Sequence, residues 1–155
     1  MRVMAVDYGD ARTGIAVSDT SGTLAGEAWV LNTKSALETA KAISAEAASR
    51  EVGVVVVGYP RNMNGTAGPR AEKSEQIAKS IQNLCCAEVV LWDERMTTVS
   101  AHRILDETGK HGKKRKKTID AVAASLILES YLVYRQGKNT QNQAGEMYEK
   151  SYENE

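Results

Sequence analysis

Residues 1–19 read MRVMAVDYGDARTGIAVSD and place two short apolar stretches on either side of a polar turn. The stretches RVMAVD and TGIAVSD are joined by YGDAR, whose glycine and aspartates are typical of a tight connection between antiparallel strands. A third extended stretch, LAGEAWVLN, runs from about Leu24 to Asn32. The chain is therefore predicted to begin with a three-stranded meander, and Asp7 ends its first strand.

Alternating helices and strands follow this meander. KSALETAKAISAEAASR, from Lys34 to Arg50, has apolar residues at helical spacing and predicts an amphipathic helix. VGVVVVGYP is an uninterrupted β-branched run, which is typical of a parallel strand covered on both faces. PRAEKSEQIAKSIQNL predicts a second helix with Pro69 in its first turn, and AEVVLWDER predicts the last strand.

Two more helices are predicted toward the carboxyl end. Thr97 or Thr98 caps a helix through SAHRILDET that Gly109 ends. Thr118 caps a helix over IDAVAASLILESYLVY, which is apolar almost all round and is expected to be central. Residues 136–155 are polar and aperiodic, which predicts a flexible tail after a single domain over residues 1–135. This order of elements predicts an α/β fold with a mixed sheet and helices on both faces.

Composition narrows the class of protein. A chain of 155 residues with 42% hydrophobic and 26% charged residues fits one soluble globular domain. Its amino-terminal apolar run is too short for a signal peptide, and no run reaches the ~20 residues of a membrane span, so a cytoplasmic protein is expected. Cys85 and Cys86 are adjacent, which excludes a disulfide framework or a metal-binding spacing and predicts buried, reduced thiols.

Three carboxylates are expected to meet at one edge of the sheet. Sites in open α/β sheets form beyond the carboxyl ends of parallel strands. Asp7 ends the first strand and Glu94 the last, so both face one crevice if those strands are neighbours, while Asp120 lies in the first turn of the helix that packs on the sheet. Bare carboxylates at such spacing raise one another's pKa values. Mg²⁺ or Mn²⁺ relieves this repulsion, and a pair of such ions suits phosphodiester hydrolysis.

Each of these carboxylates also has a purely structural interpretation. Asp7 followed by Gly9 is compatible with a simple turn. Asp120 is compatible with a helix N-terminus, where an acidic side chain contributes about 0.3–1 kcal/mol. Asp93 and Glu94 alternate across the strand, so the periodicity leaves open which of them faces the crevice.

The positive charge is concentrated in one segment. Lys plus Arg and Asp plus Glu each total 20, but KHGKKRKK, from Lys110 to Lys117, holds six basic residues and no acidic one. Such a run is compatible with a solvated loop, yet its position just before Asp120 favours contact with a nucleic-acid backbone. Arg12 and Arg95 flank the other two carboxylates and either bind phosphates or form ordinary ion pairs. The basic residues predicted as backbone contacts are Arg12, Arg95, Lys110, Lys113, Lys114, Arg115, Lys116 and Lys117.

Four motifs in order, DYGDARTGIAVSD, VVVVGYPRNMNGTAG, WDERMTT and IDAVAASLILESYL, closely resemble the YqgF/RuvX family of ribonuclease H-like nucleases. The resemblance extends from about residue 1 to residue 135. It implies a mixed five-stranded RNase H-like sheet and a metal-dependent active site, with Asp7, Glu94 and Asp120 as catalytic acids and metal ligands. It also implies site-shaping or substrate-contacting roles for Gly9, Gly14, Gly58, Pro60, Asn64, Gly65, Thr97 and Thr98.

The resemblance leaves the substrate open. The family is described both as nucleases that mature the 5′ end of pre-16S ribosomal RNA and as Holliday junction resolvases, with an RNA precursor, branched DNA or ribosomal assembly components as partners. A resolvase needs two active sites on a symmetric dimer, whereas an RNA-processing enzyme is able to act as a monomer, so the protein is expected to be either a monomer or a homodimer. This chain departs from the family pattern at Ala11, Tyr59 and Arg61, where local phosphate or base contacts are expected to differ.

Two other classes of protein compete with a nuclease. One is a nucleic-acid-binding protein without turnover, in which the carboxylates are structural and KHGKKRKK provides affinity. The other is an ATPase or sugar-kinase-like domain, since an Asp-X-Gly hairpin also binds phosphate in actin-like folds. Those proteins use two such domains around a cleft, and this chain has room for one, which disfavours the second alternative.

Overall fold

A computed structural model describes residues 1–62, 64–96 and 119–138. The described elements follow the predicted order closely. The strands are β1 (Arg2–Asp7), β2 (Thr13–Ser18), β3 (Ala25–Leu31), β4 (Val52–Tyr59) and β5 (Glu88–Asp93), and the helices are α1 (Ala36–Ser49), α2 (Pro69–Leu84) and α3 (residues 119–138), with a 3₁₀ turn at Glu94–Met96.

The strands form one mixed five-stranded sheet in the order β3-β2-β1-β4-β5. β1 pairs antiparallel with β2 and parallel with β4, and β4 pairs parallel with β5. The predicted meander and mixed sheet are thus confirmed. The carboxyl ends of the three parallel strands lie at one edge of the sheet, where Tyr59 is in register with Asp93.

Alternation along the strands divides the core into two layers. Met4 and Val6 of β1 face the layer that includes Ile43 of α1 and Ile77 of α2. Val3 and Ala5 face the opposite layer, whose fully buried residues include Leu128 of α3. Both faces of β1 and β4 are covered, which explains why their sequences are continuous apolar runs rather than alternating ones.

Helix starts follow local capping chemistry. The Ser35 side chain accepts a hydrogen bond from the Glu38 backbone N–H and caps α1. Gly68 precedes α2 in an extended conformation, and Pro69 occupies its first turn, where a missing N–H costs least. α2 therefore begins just beyond the carboxyl end of β4, on the side of the sheet edge where the carboxylates lie.

The length and packing of α3 and the exposure of the two cysteines differ from the sequence-based expectations. α3 continues to residue 138, beyond the predicted boundary at residue 135, and it packs by one face, with Val133 70% exposed. Cys85 and Cys86 are free thiols, but neither is fully buried as predicted: Cys85 is half-buried, and Cys86 is exposed because it lies in the bend before β5. No described helix combines the length and apolarity that a membrane crossing requires.

Several predictions concern residues outside the described ranges. They are the helix through SAHRILDET with its end at Gly109, the cap at Thr118, the polar segment after residue 138, the residues Thr97 and Thr98, and the basic residues Lys110, Lys113, Lys114, Arg115, Lys116 and Lys117.

Candidate active site

The side chains of Asp7 and Glu94 meet at the carboxyl edge of the sheet. Asp7 ends β1, and Glu94 begins the 3₁₀ turn that follows β5. Both are half-buried, and their carboxyl groups share a hydrogen bond in which Asp7 donates and Glu94 accepts. Residues 87 positions apart in the sequence thus form one carboxyl pair.

Gly58 makes this meeting possible. β1 and β5 are not neighbours, because β4 lies between them. A Cβ atom at Gly58 would lie 2.5 Å from Glu94 Oε1 and 2.8 Å from Ile127 Cδ1. The missing side chain therefore leaves the space through which the Glu94 carboxylate reaches across β4 toward Asp7.

The third predicted acid, Asp120, lies in the first turn of α3 at the same edge. Its Oδ2 is 3.3 Å from Arg12 Nε in a half-buried salt bridge. Gly14 brings α3 close to β2, since a Cβ atom there would lie 2.1 Å from the Asp120 carbonyl oxygen. Gly9 similarly allows a tight turn between β1 and β2, where a Cβ atom would lie 2.4 Å from the Arg12 carbonyl oxygen.

The pKa values of the three acids are raised, with burial as the first cause in each case. Burial, the charge of Glu94 and the hydrogen bond to Glu94 raise the pKa of Asp7 to about 7. The pKa of Glu94 is also raised by burial, against the lowering effect of the hydrogen bond that it accepts. The pKa of Asp120 is raised by burial, while the charge of Arg12 opposes the rise. Below its pKa of about 7, Asp7 is therefore the protonated member of the pair and donates the hydrogen bond to Glu94.

Asp93, the neighbour of Glu94, faces a different partner. Its carboxylate accepts a hydrogen bond from the Arg95 backbone N–H at 3.0 Å and forms a salt bridge with the Arg95 guanidinium at 2.6 Å. These contacts lower the pKa of Asp93. The alternation that the sequence left open is thus decided: Glu94 faces the crevice, and Asp93 holds Arg95 beside it.

The loop after β4 borders the same edge. Pro60 is half-buried at the end of the strand, and Asn64 Oδ1 accepts hydrogen bonds from the backbone N–H and the hydroxyl of Thr66. Gly65 adopts a φ of +85°, a left-handed conformation that favours glycine. In this structure Asn64 and Gly65 thus determine the shape of the loop.

Arg70 is a part of the site that sequence reasoning missed. It lies in the first turn of α2, and its charge lowers the pKa values of Asp7, Glu94 and Asp120. The signal that points to it is topological: a helix that follows a parallel strand starts at the carboxyl edge of the sheet. Arg70 occupies that start in the motif GPRA.

The acids provide an oxygen-only donor set, but they do not form a closed triad. Within the described ranges, no three Asp, Glu, His or Cys side chains are grouped closely enough to hold a metal ion. Mg²⁺ commonly takes one or two carboxylates and completes its shell with water and substrate phosphate oxygens. The half-buried Asp7–Glu94 pair would supply two carboxylate ligands of this kind, and Asp120, which is paired with Arg12, acts on Asp7 through its charge.

The family model described as "RuvX: Holliday junction resolvase" matches residues 1–134. The chain belongs to the RuvX family. This finding confirms the resemblance seen in the four motifs. A RuvX relative from Ruminiclostridium cellulolyticum is 43% identical over 133 residues, covering 85% of this chain and 94% of that protein. One from Halothermothrix orenii is 44% identical over 135 residues, covering 87% and 96%. Both are named "Putative pre-16S rRNA nuclease", so this RuvX chain belongs among proteins named as nucleases.

Solved resolvase structures share the fold of this RuvX protein. RuvC from Thermus thermophilus superposes with a TM-score of 0.52 at 16% identity, covering 88% of this chain and 97% of that one. The Fowlpox virus resolvase, in complex with Holliday junction DNA, gives 0.50 at 12% identity, covering 88% and 98%. These likenesses concern the fold alone and confirm the predicted RNase H-like sheet.

Proposed function

We propose that this protein is a divalent-cation-dependent nuclease that hydrolyses a phosphodiester bond during maturation of the 5′ end of pre-16S rRNA in the cytoplasm. The observation that carries the proposal is the half-buried Asp7–Glu94 pair at the carboxyl edge of an RNase H-like sheet. Relatives at 43% and 44% identity with pre-16S rRNA nuclease names support the substrate. Carboxylate pairs of this kind are the usual ligands of hydrolytic Mg²⁺ and Mn²⁺.

Asp7 and Glu94 would hold the cation, with Asp120 joining them when its carboxylate turns from Arg12. The chemistry that Mg²⁺ or Mn²⁺ supplies when bound is activation of the attacking water and neutralisation of the leaving oxygen. The chain itself fixes the carboxylates of Asp7 and Glu94 by burial and by the space at Gly58. The proton on Asp7 must leave first, and the charge of Arg70 favours that loss.

Basic side chains around the edge are proposed to bind the nucleic-acid backbone. Arg12 lies beside Asp120, and Arg95 lies beside Asp93, each already in a salt bridge. The segment Lys110–Lys117 immediately precedes α3 in the sequence and brings further positive charge to the chain near Asp120. Contacts to phosphates at these positions would make the affinity strongly dependent on salt.

Holliday junction resolution is the second candidate, favoured by the description of the family model and by the RuvC-like fold. Paired cuts in a junction require two active sites on a symmetric dimer, whereas cleavage of a single RNA strand does not. The oligomeric state in solution therefore separates the two candidates.

The test compares two substrates under one set of conditions. Wild type and Asp7→Asn are incubated with single-stranded RNA spanning a pre-16S 5′ end and with a four-way DNA junction, in Mn²⁺, Mg²⁺ or EDTA. Metal-dependent RNA cleavage that Asp7→Asn abolishes, with binding nearly unchanged, supports the proposal. Symmetric cuts in the junction alone favour a resolvase. The absence of cleavage of either substrate, or cleavage retained by Asp7→Asn, contradicts the proposed active site.

A further inference from the structure

A small pocket lies between the β1–β2 turn and the first turn of α2. Its volume is about 30 Å³, and it is lined by Tyr8, Gly9, Asp10, Arg70 and Lys73. A space of this size accommodates a water molecule or one oxygen of a phosphate group. Arg70, which lines the pocket, is also the residue whose positive charge acts on Asp7 and Glu94, so the pocket lies within electrostatic reach of the carboxyl pair.

The two basic residues that line this pocket, Lys73 and Arg70, differ in their salt bridges. Lys73 Nζ lies 2.9 Å from both carboxylate oxygens of Asp10, in an exposed salt bridge. No salt bridge joins Arg70 to any residue in the described part of the chain. The Arg70 charge nevertheless acts on Asp7, Glu94 and Asp120. Arg70 thus lines the pocket and also acts electrostatically on the carboxylates.

We propose that this pocket is a phosphate subsite, in which Arg70 binds the backbone phosphate of the nucleotide next to the cleaved bond. The inference rests on the proposed nuclease function and adds a substrate contact to it. A guanidinium group binds phosphate through two parallel hydrogen bonds, which suits an exposed arginine at a pocket wall. Arg70 also offsets the repulsion between the incoming phosphate and the acidic pair, which would otherwise oppose binding.

At this subsite a bound phosphate would compete with Asp10 for Lys73. In the free protein Asp10 neutralises Lys73, so a bound phosphate must share Lys73 with Asp10 or displace it. Asp10 is therefore a negative charge that weakens binding of the backbone at this point. Loss of the Asp10 charge is expected to tighten binding, and the gain is expected to require Lys73.

The first experiment measures the Kd for the pre-16S RNA by fluorescence anisotropy, at fixed salt and with Ca²⁺ as the cation. Arg70→Ala is expected to raise the Kd about tenfold, the size of one charge-assisted contact. Lys79→Ala, which removes an exposed cation from the same helix, is the matched control and should stay within about twofold. Asp10→Asn is expected to lower the Kd about threefold, and Lys73→Ala in the same chain should remove that gain. Glu129→Gln controls for the loss of a negative charge elsewhere.

The second experiment identifies the phosphate. Single linkages on either side of the cleaved bond are replaced by neutral methylphosphonates, each compared with the unmodified linkage. One replacement is expected to weaken binding about tenfold in wild type and to have no further effect in Arg70→Ala. An Arg70→Ala protein that folds normally but binds like wild type, or equal effects of every replacement in both proteins, would overturn the subsite.

Failure of the subsite is distinguishable from failure of the nuclease. If wild type cleaves RNA with metal and Arg70→Ala matches it in KM and Kd, the subsite is wrong and the nuclease function stands. If wild type cleaves nothing, the nuclease function fails, while the Kd measurements with the neutral linkages still decide whether Arg70 binds a phosphate.

Discussion

Two adjacent carboxylates at the end of β5 have opposite surroundings. Asp93 turns toward the surface, where Arg95 holds it at 2.6 Å and lowers its pKa. Glu94 turns into the crevice, where burial raises its pKa and its partner is another acid, Asp7. The negative charge of Asp93 is stabilised by an opposite charge, whereas the partly buried environment of Asp7 and Glu94 disfavours a second negative charge beside the first. The molecule thus concentrates its unfavourable electrostatics at the position where a cation and a phosphate are expected to bind.

The largest expected effect is a difference in cleavage rate between variants of Glu94 and of Asp93. Glu94→Gln is expected to reduce the rate of RNA cleavage at least about 10³-fold, because it removes a proposed metal ligand worth about 4 kcal/mol in the transition state. Asp93→Asn is expected to change the rate less than about fivefold, since the hydrogen bonds and the salt bridge that the Asp93 side chain makes in the described part of the chain go to Arg95. Single-turnover rates in Mg²⁺ measure both. Equal losses of cleavage rate in the two variants would contradict the assignment of Glu94 to the active site and of Asp93 to a surface ion pair.

A second prediction concerns the space that joins the acids. Gly58→Ala places a Cβ 2.5 Å from Glu94 Oε1, which displaces Glu94 from Asp7. The cleavage rate is expected to fall at least about tenfold, and the free energy of unfolding by about 1–3 kcal/mol from overpacking against Ile127. Gly68→Ala is the control, because its nearest neighbours are Asn62 side-chain atoms, the closest of them 3.7 Å away. The cleavage rate and urea unfolding are measured on the same variants. Full activity in Gly58→Ala would show that Glu94 does not need the space at Gly58 to reach Asp7.

The smallest expected effect is on the pH dependence of the free energy of unfolding, and its sign is opposite for Asp7 and Asp93. The pKa of Asp7 is about 7 in the folded state and 3.8 in an unperturbed chain, so the folded state binds more protons between these values. Stability of cation-free protein therefore falls as pH rises through this window. Asp7→Asn is expected to be more stable than wild type at pH 8 by about 2 kcal/mol. This difference is smaller than the full pKa shift of Asp7 implies, because Glu94 shares the titration. Near pH 4 the two proteins are expected to be equally stable.

Asp93→Asn should behave in the opposite way. The pKa of Asp93 is lowered, so its ionised form stabilises the fold above the unperturbed value, and this contribution disappears as pH falls through the folded pKa. Asp93→Asn is thus expected to be slightly less stable than wild type at pH 8. Urea unfolding in EDTA from pH 4 to pH 8 measures both variants. An Asp7→Asn protein that is less stable than wild type at pH 8 would refute the cost assigned to the buried pair.

The sequence predicts the fold well because strong local signals agree with one another. The hairpin turn YGDAR, the valine run of β4 and the Pro69 start of α2 each have a single compatible structure. The meeting of Asp7 with Glu94 was predicted on the condition that β1 and β5 are neighbours, whereas they are separated by β4 and connected through the space at Gly58. That space depends on strand order, which periodicity does not contain.

The limits of sequence reasoning appear at the rim of the site. The pairing of Asp93 with Arg95 and of Asp120 with Arg12 depends on side-chain directions that a pattern of residue types leaves open. Arg70 was missed because an arginine in the first turn of a helix opposes the usual preference for acidic residues there. The role of Arg70 becomes visible only when the first turn of α2 is placed beside the turn that follows β1.

The most direct measurement of the central claim is a ¹³C NMR titration of the Asp7 carboxyl group with and without Mg²⁺. In EDTA the group is expected to titrate near its pKa of about 7. Saturating Mg²⁺ should replace the shared proton and move the titration well below that value, while the titration of Asp93 stays unchanged. An Asp7 carboxyl that titrates near 4, or one that Mg²⁺ does not affect, would contradict a cation site built on a buried acidic pair.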